Sequence, residues 1–145
     1  MKVLLIIFSC FSLLVFLAIA SCNDSYDSDS VDCSTYDYSD CVTSEPYDGR
    51  MYVKLTINDE NINVPIAIYR GNLEDNDLYL ADTAKNEYYD TLLPVDGFYT
   101  VTAEYKRNGE KIFAVDGDDI KKSHADVCDS VCWDVKTGSV NLRLK

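Results

Sequence analysis

Phe98-Tyr99-Thr100-Val101-Thr102-Ala103-Glu104-Tyr105-Lys106 is the stretch whose reading decides the fold. Tyr99, Val101, Ala103 and Tyr105 fall on one side of it and Thr100, Thr102 and Glu104 on the other. That is the period of two that a half-buried strand requires. Turn chemistry bounds the run at both ends. Pro94-Val95-Asp96-Gly97 precedes it, and Asn108-Gly109 follows, a dipeptide that favours a type I′ hairpin because both central residues need positive φ. Lys111–Val115 is then the returning strand, and Tyr99 and Tyr105 are expected in the core.

The flanking sequence continues the pattern. Met51, Val53, Leu55 and Ile57 alternate with Tyr52, Lys54, Thr56 and Asn58; Asn58–Asn61 reads as a polar turn, and Ile62, Val64, Ile66 and Ile68 alternate again. Residues 51–69 therefore predict a hairpin. Pro65 cannot donate to a ladder, which moves the second strand towards an edge or a bulge. A polar loop opens at Gly71, followed by a short strand at Leu78–Ala81, a turn at Thr83–Asn86 and a strand at Glu87–Leu93. After the returning strand, Asp116–Val127 reads as a charged loop with a helical turn near Ile120–His124. Trp133–Val135 and Ser139–Leu144 close the domain. About seven short strands with no long segment of helical period predict an all-β fold, an antiparallel β-sandwich over residues 50–145.

The block Leu93–Tyr105, followed by Asn108-Gly109, resembles the core hairpin of transthyretin-like and carboxypeptidase-regulatory-like (Ig-like) sandwiches of exported bacterial proteins. Ile62–Gly71, a strand ending Ile68-Tyr69-Arg70-Gly71, and the terminal Ser139–Leu144 fit the same pattern, so the resemblance spans residues 51–145. It implies a β-sandwich that is mostly non-catalytic, and it lends no catalytic residues.

The N-terminal region has a different character. Lys2 is followed by the apolar run Val3–Ala20 and then by Ile19-Ala20-Ser21-Cys22 at its end. This resembles a bacterial lipoprotein signal peptide with its lipobox. The length sits at the lower limit for a membrane span, but the run ends at a small-small-Cys site and the residues after it are acidic, as suits an exported segment. The resemblance implies cleavage before Cys22 and a lipid (diacylglycerol and palmitate) on that cysteine. It also implies an outer-membrane location, lipid-anchored and either surface-exposed or periplasm-facing. Three regions follow: signal peptide 1–21, lipidated tether 22–49 and sandwich 50–145. Residues 23–49 hold eight acids and no Lys or Arg, too little apolar surface to offset the entropy of ordering. An acidic stretch just after a lipidated cysteine also looks like the surface-export signals of some lipoproteins.

The chain carries a net charge of −12. Without residues 1–21 it has 12 Lys/Arg against 25 Asp/Glu. Such acidity excludes nucleic acid as a partner, since binding a phosphate backbone relies on cations that replace its counterions.

Cys10 leaves with the signal peptide, and Cys33, Cys41, Cys128 and Cys132 remain. An even number in an exported chain argues for disulfides. Three pairings are open. Local pairs (Cys33–Cys41, Cys128–Cys132) close short loops; crossed pairs tie the tether to the C-terminal region and gain more in loop entropy. The expectation is local pairing, with a turn at Asp129-Ser130. A metal reading competes, because His124, Cys128 and Cys132 would share one face of a helix, but the spacing matches neither zinc nor redox motifs. Asp116, Asp118 and Asp119 are a calcium candidate without the EF-hand pattern, and a solvated acidic loop is the simpler reading. No hydrolase, phosphate-binding or zincin motif is found, and the chain is not expected to be an enzyme or to carry a cofactor. Tyr69, Tyr79, Tyr88 and Tyr89 form a possible ligand face for carbohydrate or peptide. The expected function is a non-catalytic binding or structural module, joined to the membrane by its lipid and to an unknown protein or glycan partner.

Overall fold

A computed structural model describes residues 32–145. Residues 1–31, on which the expected signal peptide, the lipidation at Cys22 and the first part of the expected tether fall, lie outside the described residues. Eight strands build the domain: β1 Asp48–Lys54, β2 Val64–Arg70, β3 Asp77–Ala84, β4 Tyr88–Pro94, β5 Gly97–Arg107, β6 Glu110–Val127, β7 Ser130–Lys136 and β8 Gly138–Asn141. They form a three-stranded sheet, β4-β1-β8, and a five-stranded sheet, β3-β2-β5-β6-β7. The result is an all-β sandwich. Its interior holds Met51, Val53, Leu55, Leu93, Val140 and Leu142 from the side of the smaller sheet and Val64, Ile66, Ile68, Tyr99, Val101, Ala103, Tyr105 and Ile120 from the larger.

The Phe98–Lys106 reading holds residue by residue. Tyr99, Val101, Ala103 and Tyr105 are all buried. β5 pairs with β6 through a two-residue turn in which Asn108 has φ 54° and Gly109 φ 83°, as a type I′ turn demands. Buried hydroxyls need partners. The Tyr105 hydroxyl donates to the Leu142 carbonyl at 2.9 Å and accepts from the Thr56 N–H at 3.2 Å, so one side chain ties β5 to the chain on either side of it.

The expected 51–69 hairpin is corrected. β1 pairs with β4 and β8, whereas β2 pairs with β3 and β5. The two alternating apolar rows therefore belong to opposite walls of the sandwich, where each supplies the surface that buries the other. Asn58–Asn61 is a small turn inside the crossing. Buried Asn61 acts there as a substitute strand: its Oδ1 accepts from the Lys106 N–H at 2.7 Å and its Nδ2 donates to the Lys106 carbonyl at 3.0 Å.

Two further expectations change. Pro65 does not place β2 at an edge: β2 is internal, and Pro65 lies at its start, opposite Thr83 of β3 and before pairing with β5 begins at Ile66. The β2–β3 register does shift, between Ile68 and Tyr69. The sheets are also not wholly antiparallel, because β1 and β8 run parallel.

The charged loop expected at 116–127 is instead the second part of an 18-residue strand. The period of two simply continues, from Ile112 and Ala114 through Asp116 and Asp118 to buried Ile120. The strand changes partner there, from β5 to β7. Gly49 and Gly138 let the smaller sheet approach this point. A Cβ on Gly49 would stand 2.4 Å from a methyl of Ile120, and one on Gly138 would stand 2.6 Å from the Met51 methyl.

Candidate functional site

The cysteines are paired across the chain, not locally: Cys33 with Cys128 and Cys41 with Cys132, with Cα–Cα distances of 5.8 and 4.9 Å. Local pairing fails because 128–132 is not one turn. The two-residue turn of the β6–β7 hairpin is Cys128-Asp129, with Cys128 at φ 56°, and Cys132 already lies within β7. Residues 33–47, assigned from sequence to the tether, therefore belong to the folded unit. Val42 forms an antiparallel bridge with Trp133, and the Trp133 N–H donates to the Val42 carbonyl at 2.8 Å. Glu45 reaches Lys122 at 2.6 Å, and the Val95 N–H donates to the Tyr47 carbonyl at 2.9 Å. This strap covers part of the free edge of β7, which would otherwise offer unpaired backbone groups.

His124, Cys128 and Cys132 do not share a helix face. His124 stands opposite Trp133 on the β6–β7 hairpin, with ring centroids 4.9 Å apart. All four cysteines of the described residues are oxidised in pairs, which leaves no free thiol among them.

The aspartates of the calcium candidate are already engaged. Asp118 accepts from the Ser139 N–H at 2.9 Å and Asp116 from the Asn141 N–H at 2.8 Å. Ser139 and Asn141 are two apart on β8, so their N–H groups leave the same side of the strand. Two carboxylates two apart on β6 thus stand in for the missing neighbour strand and join the two sheets. The Ser139 N–H, with Lys136 helping, holds the Asp118 carboxyl below its ordinary range. Lys121 and Lys136 pull Asp119 down to about 2. Among the described residues no group of three or more His, Cys, Asp or Glu is placed to hold a metal ion.

The four tyrosines do not share one surface. Tyr69 and Tyr79 are on the larger sheet, Tyr88 and Tyr89 on the smaller. Tyr79 sits at the register shift, edge-on to the buried Tyr99 ring and under the Arg70 guanidinium at 4.5 Å. Tyr88 is exposed and stacks with Arg143. Tyr89 packs against the core and donates to Asp82 at 2.9 Å.

One of them, Tyr69, lines a surface that the sequence reading missed. On the outer face of the larger sheet, Thr102 lies beside Ala67 and Val115, and Glu104 beside Phe113. Phe113 is 64% and Val115 52% exposed. A hollow of about 280 Å³ crosses this face, lined by Pro65, Ala67, Tyr69, Asp82, Glu104 and Phe113 among others. A second, of about 360 Å³, adjoins it through Pro65 and Glu104 and reaches Asp59, Glu60 and Ile62. Asp82 stands opposite buried Ile66, so its carboxylate turns away from this face towards the smaller sheet, where the Thr83 N–H and then the Tyr89 hydroxyl lower its pKa. The available signal was the composition of β6 itself, which puts Phe113 and Val115 on the face opposite Ile112 and Ala114.

No helix among the described residues is long and apolar enough to cross a membrane. No protein-family model, curated protein or solved structure matches the chain.

Proposed function

We propose that the chain is a lipid-anchored module of the bacterial cell envelope: a disulfide-strapped β-sandwich, held at the outer membrane by a lipid on Cys22, that binds or scaffolds other molecules without catalysing a reaction. The observation that carries this reading is the strap. Two disulfides join residues 33 and 41 to the β6–β7 hairpin. Disulfides of this kind form and persist in oxidising compartments outside the cytosol. They also suit a domain held from its N-terminal side, because a pull arriving at Cys33 meets a covalent bond before it meets the hydrogen bonds of β1.

Two sequence features add to this. The lipobox-like Ile19-Ala20-Ser21-Cys22 stands 11 residues before Cys33. The block Leu93–Tyr105 with Asn108-Gly109 supports a kinship with transthyretin-like sandwiches. The chain's single histidine, His124, is placed on the hairpin beside Trp133, which favours the non-catalytic reading over the thiol or metal one. The separation of the tyrosines onto two sheets makes a tyrosine-built sugar face the weaker alternative.

Intact mass of the protein extracted from its native membrane tests the proposal. The expected mass begins at Cys22 with diacylglycerol and one acyl chain added, and Cys33, Cys41, Cys128 and Cys132 alkylate only after reduction. A mature form without lipid, or one whose cysteines alkylate unreduced, would refute it.

A further inference from the structure

The two bridges of the strap are held in unlike ways. Cys132 lies within β7, opposite Ala125, and its neighbour Trp133 is bridged to Val42, the neighbour of Cys41. The Trp133 N–H donates to the Val42 carbonyl at 2.8 Å, so the backbone itself keeps Cys41 beside Cys132. Two thiols held in that way meet at a high effective concentration, which favours the closed bond. Cys128 has no such place. It is the first residue of the two-residue β6–β7 turn, at φ 56°. Asn108 takes the like position of the β5–β6 turn at φ 54°, but asparagine tolerates the left-handed region and cysteine seldom enters it. No residue from 121 to 136 is fully buried, so packing does little to fix the tip of the hairpin. Its partner Cys33 is exposed, and no residue from 32 to 40 is buried either. Strained and exposed disulfides are the ones that thiols open first.

We propose that Cys33–Cys128 is a thiol-exchange site, opened by a dithiol reductant while Cys41–Cys132 stays closed. The proposal rests on the module reading above and gives its tether a redox-controlled length. A thiolate of the reductant attacks the exposed Cys33 Sγ, the S–S bond breaks, and Cys128 leaves as a thiolate that takes a proton from water. The second thiol of the reductant then attacks the reductant's own sulfur in the mixed disulfide. Cys33 is released as a thiol, and the reductant, two electrons poorer, leaves as a cyclic disulfide. The exchange is stoichiometric, so the non-catalytic reading stands. The first covalent hold on the domain moves from Cys33 to Cys41, eight residues further along the chain. The sandwich keeps its core, because the freed residues contribute nothing to it. Cys41–Cys132 still closes a loop with a sequence separation of 91.

The test follows both bridges in the chain from residue 22, with Cys22→Ser so that only the four bridge cysteines are read. Timed exposure to dithiothreitol, quenching with an alkylating agent and peptide mass spectrometry give the order of opening. Cys33 and Cys128 should be labelled about tenfold or more faster than Cys41 and Cys132. In a glutathione buffer their bridge should also be about tenfold or more further reduced at equilibrium. Chymotrypsin should cut after Tyr36 or Tyr38 about tenfold or more faster in the one-bridge form, whose β1–β5 amides keep their exchange protection. A Cys33→Ser/Cys128→Ser variant should show the same cleavage without reductant. Bridges that open together, or Cys41–Cys132 opening first, would overturn the proposal. So would equal equilibrium constants, loss of β5 protection on opening, or unchanged cleavage of the serine variant. The lipid enters none of these readings. A native protein without it would end the anchoring proposal and leave the exchange site standing. A lipidated protein whose bridges open together would do the reverse.

Discussion

Between Glu110 and Ile120, β6 lies beside β5 and turns Ile112, Ala114 and Ile120 towards the apolar interior; between Lys121 and Val127 it lies beside β7, and no residue from 121 to 136 is fully buried. The first half is held by what it excludes from water. The second gives that core only the partly buried Val135 and is held instead by Cys33–Cys128, Cys41–Cys132, the Val42–Trp133 bridge and ion pairs from Lys122 and Lys136. One strand thus shows two solutions to the same problem. Where sequence alternation supplies a buried row, packing suffices; where it runs out, covalent bonds replace the core. Small exported domains short of core use the same substitution.

The sharpest way to break that comparison is to remove the covalent half. Each bridge closes a loop above 90 residues, since the sequence separations are 95 and 91. They are not independent. With one in place, the second closes a ring of only about 14 residues, worth about 3 kcal/mol in the loop-entropy model against about 4.7 kcal/mol for the first. Replacing one pair by serine should therefore cost about 3 kcal/mol, and replacing both about 7 to 8 kcal/mol, more than twice as much. Urea unfolding of the two single-pair variants and the double-pair variant measures this. A double loss equal to or smaller than the sum of the single losses would show that the strap does not act by loop closure. Hydrogen exchange on the partly reduced protein should show amides of 121–136 losing protection before those of β5.

The next effect sharpens the packing half. Ile68 is fully buried and faces the smaller sheet, whereas Val131 on β7 is 40% exposed. Ile68→Ala should cost about 3 kcal/mol through lost burial and the cavity left behind, and Val131→Ala less than about 0.5 kcal/mol. The same urea experiment compares them. Equal losses would mean that the hairpin carries a core of its own.

The contrast also explains what could be read from the amino-acid order. β5, the Asn108-Gly109 turn and the buried rows of β1, β2 and β8 were legible because alternation and turn chemistry are local signals. The partner of each strand was not. Residues 51–57 and 62–68 look alike whether they lie side by side or face each other across a core, and only the rest of the sandwich decides. Asp116 and Asp118 misled for a related reason. A carboxylate signals a loop because burial of a charge is costly, yet here the backbone N–H groups of Ser139 and Asn141 satisfy each one. The pairing of the cysteines depended on Cys33 and Cys41 lying against β7, which no local pattern announces. Of the outer-face hollow only Tyr69 was singled out, because Phe113 and Val115 read as ordinary strand residues until their neighbours across β5 and β2 are known.

The smallest effect concerns the join between the two halves, where Asp118 meets β8 and Lys136. Its carboxyl is held below the ordinary value of 3.8, first by the Ser139 N–H and then by Lys136, so the folded state prefers the ionised form. The stability it contributes is whole above its unfolded pKa near 3.8 and is lost as pH falls through the lower folded value. Asp119, drawn to about 2 by Lys121 and Lys136, fades in the same direction between about 4 and about 2. Asp118→Asn keeps an acceptor for the Ser139 N–H but loses the charge and should cost about 1 kcal/mol or less at pH 6, because the site is partly open to water. Urea midpoints of wild type and Asp118→Asn at pH 6, 4, 3 and 2 should converge as the pH drops, since acid removes from the wild type what the substitution has already removed. A gap that stays constant down to pH 2 would show that Asp118 acts through its shape and hydrogen bond alone, with no part for its charge in joining β6 to β8.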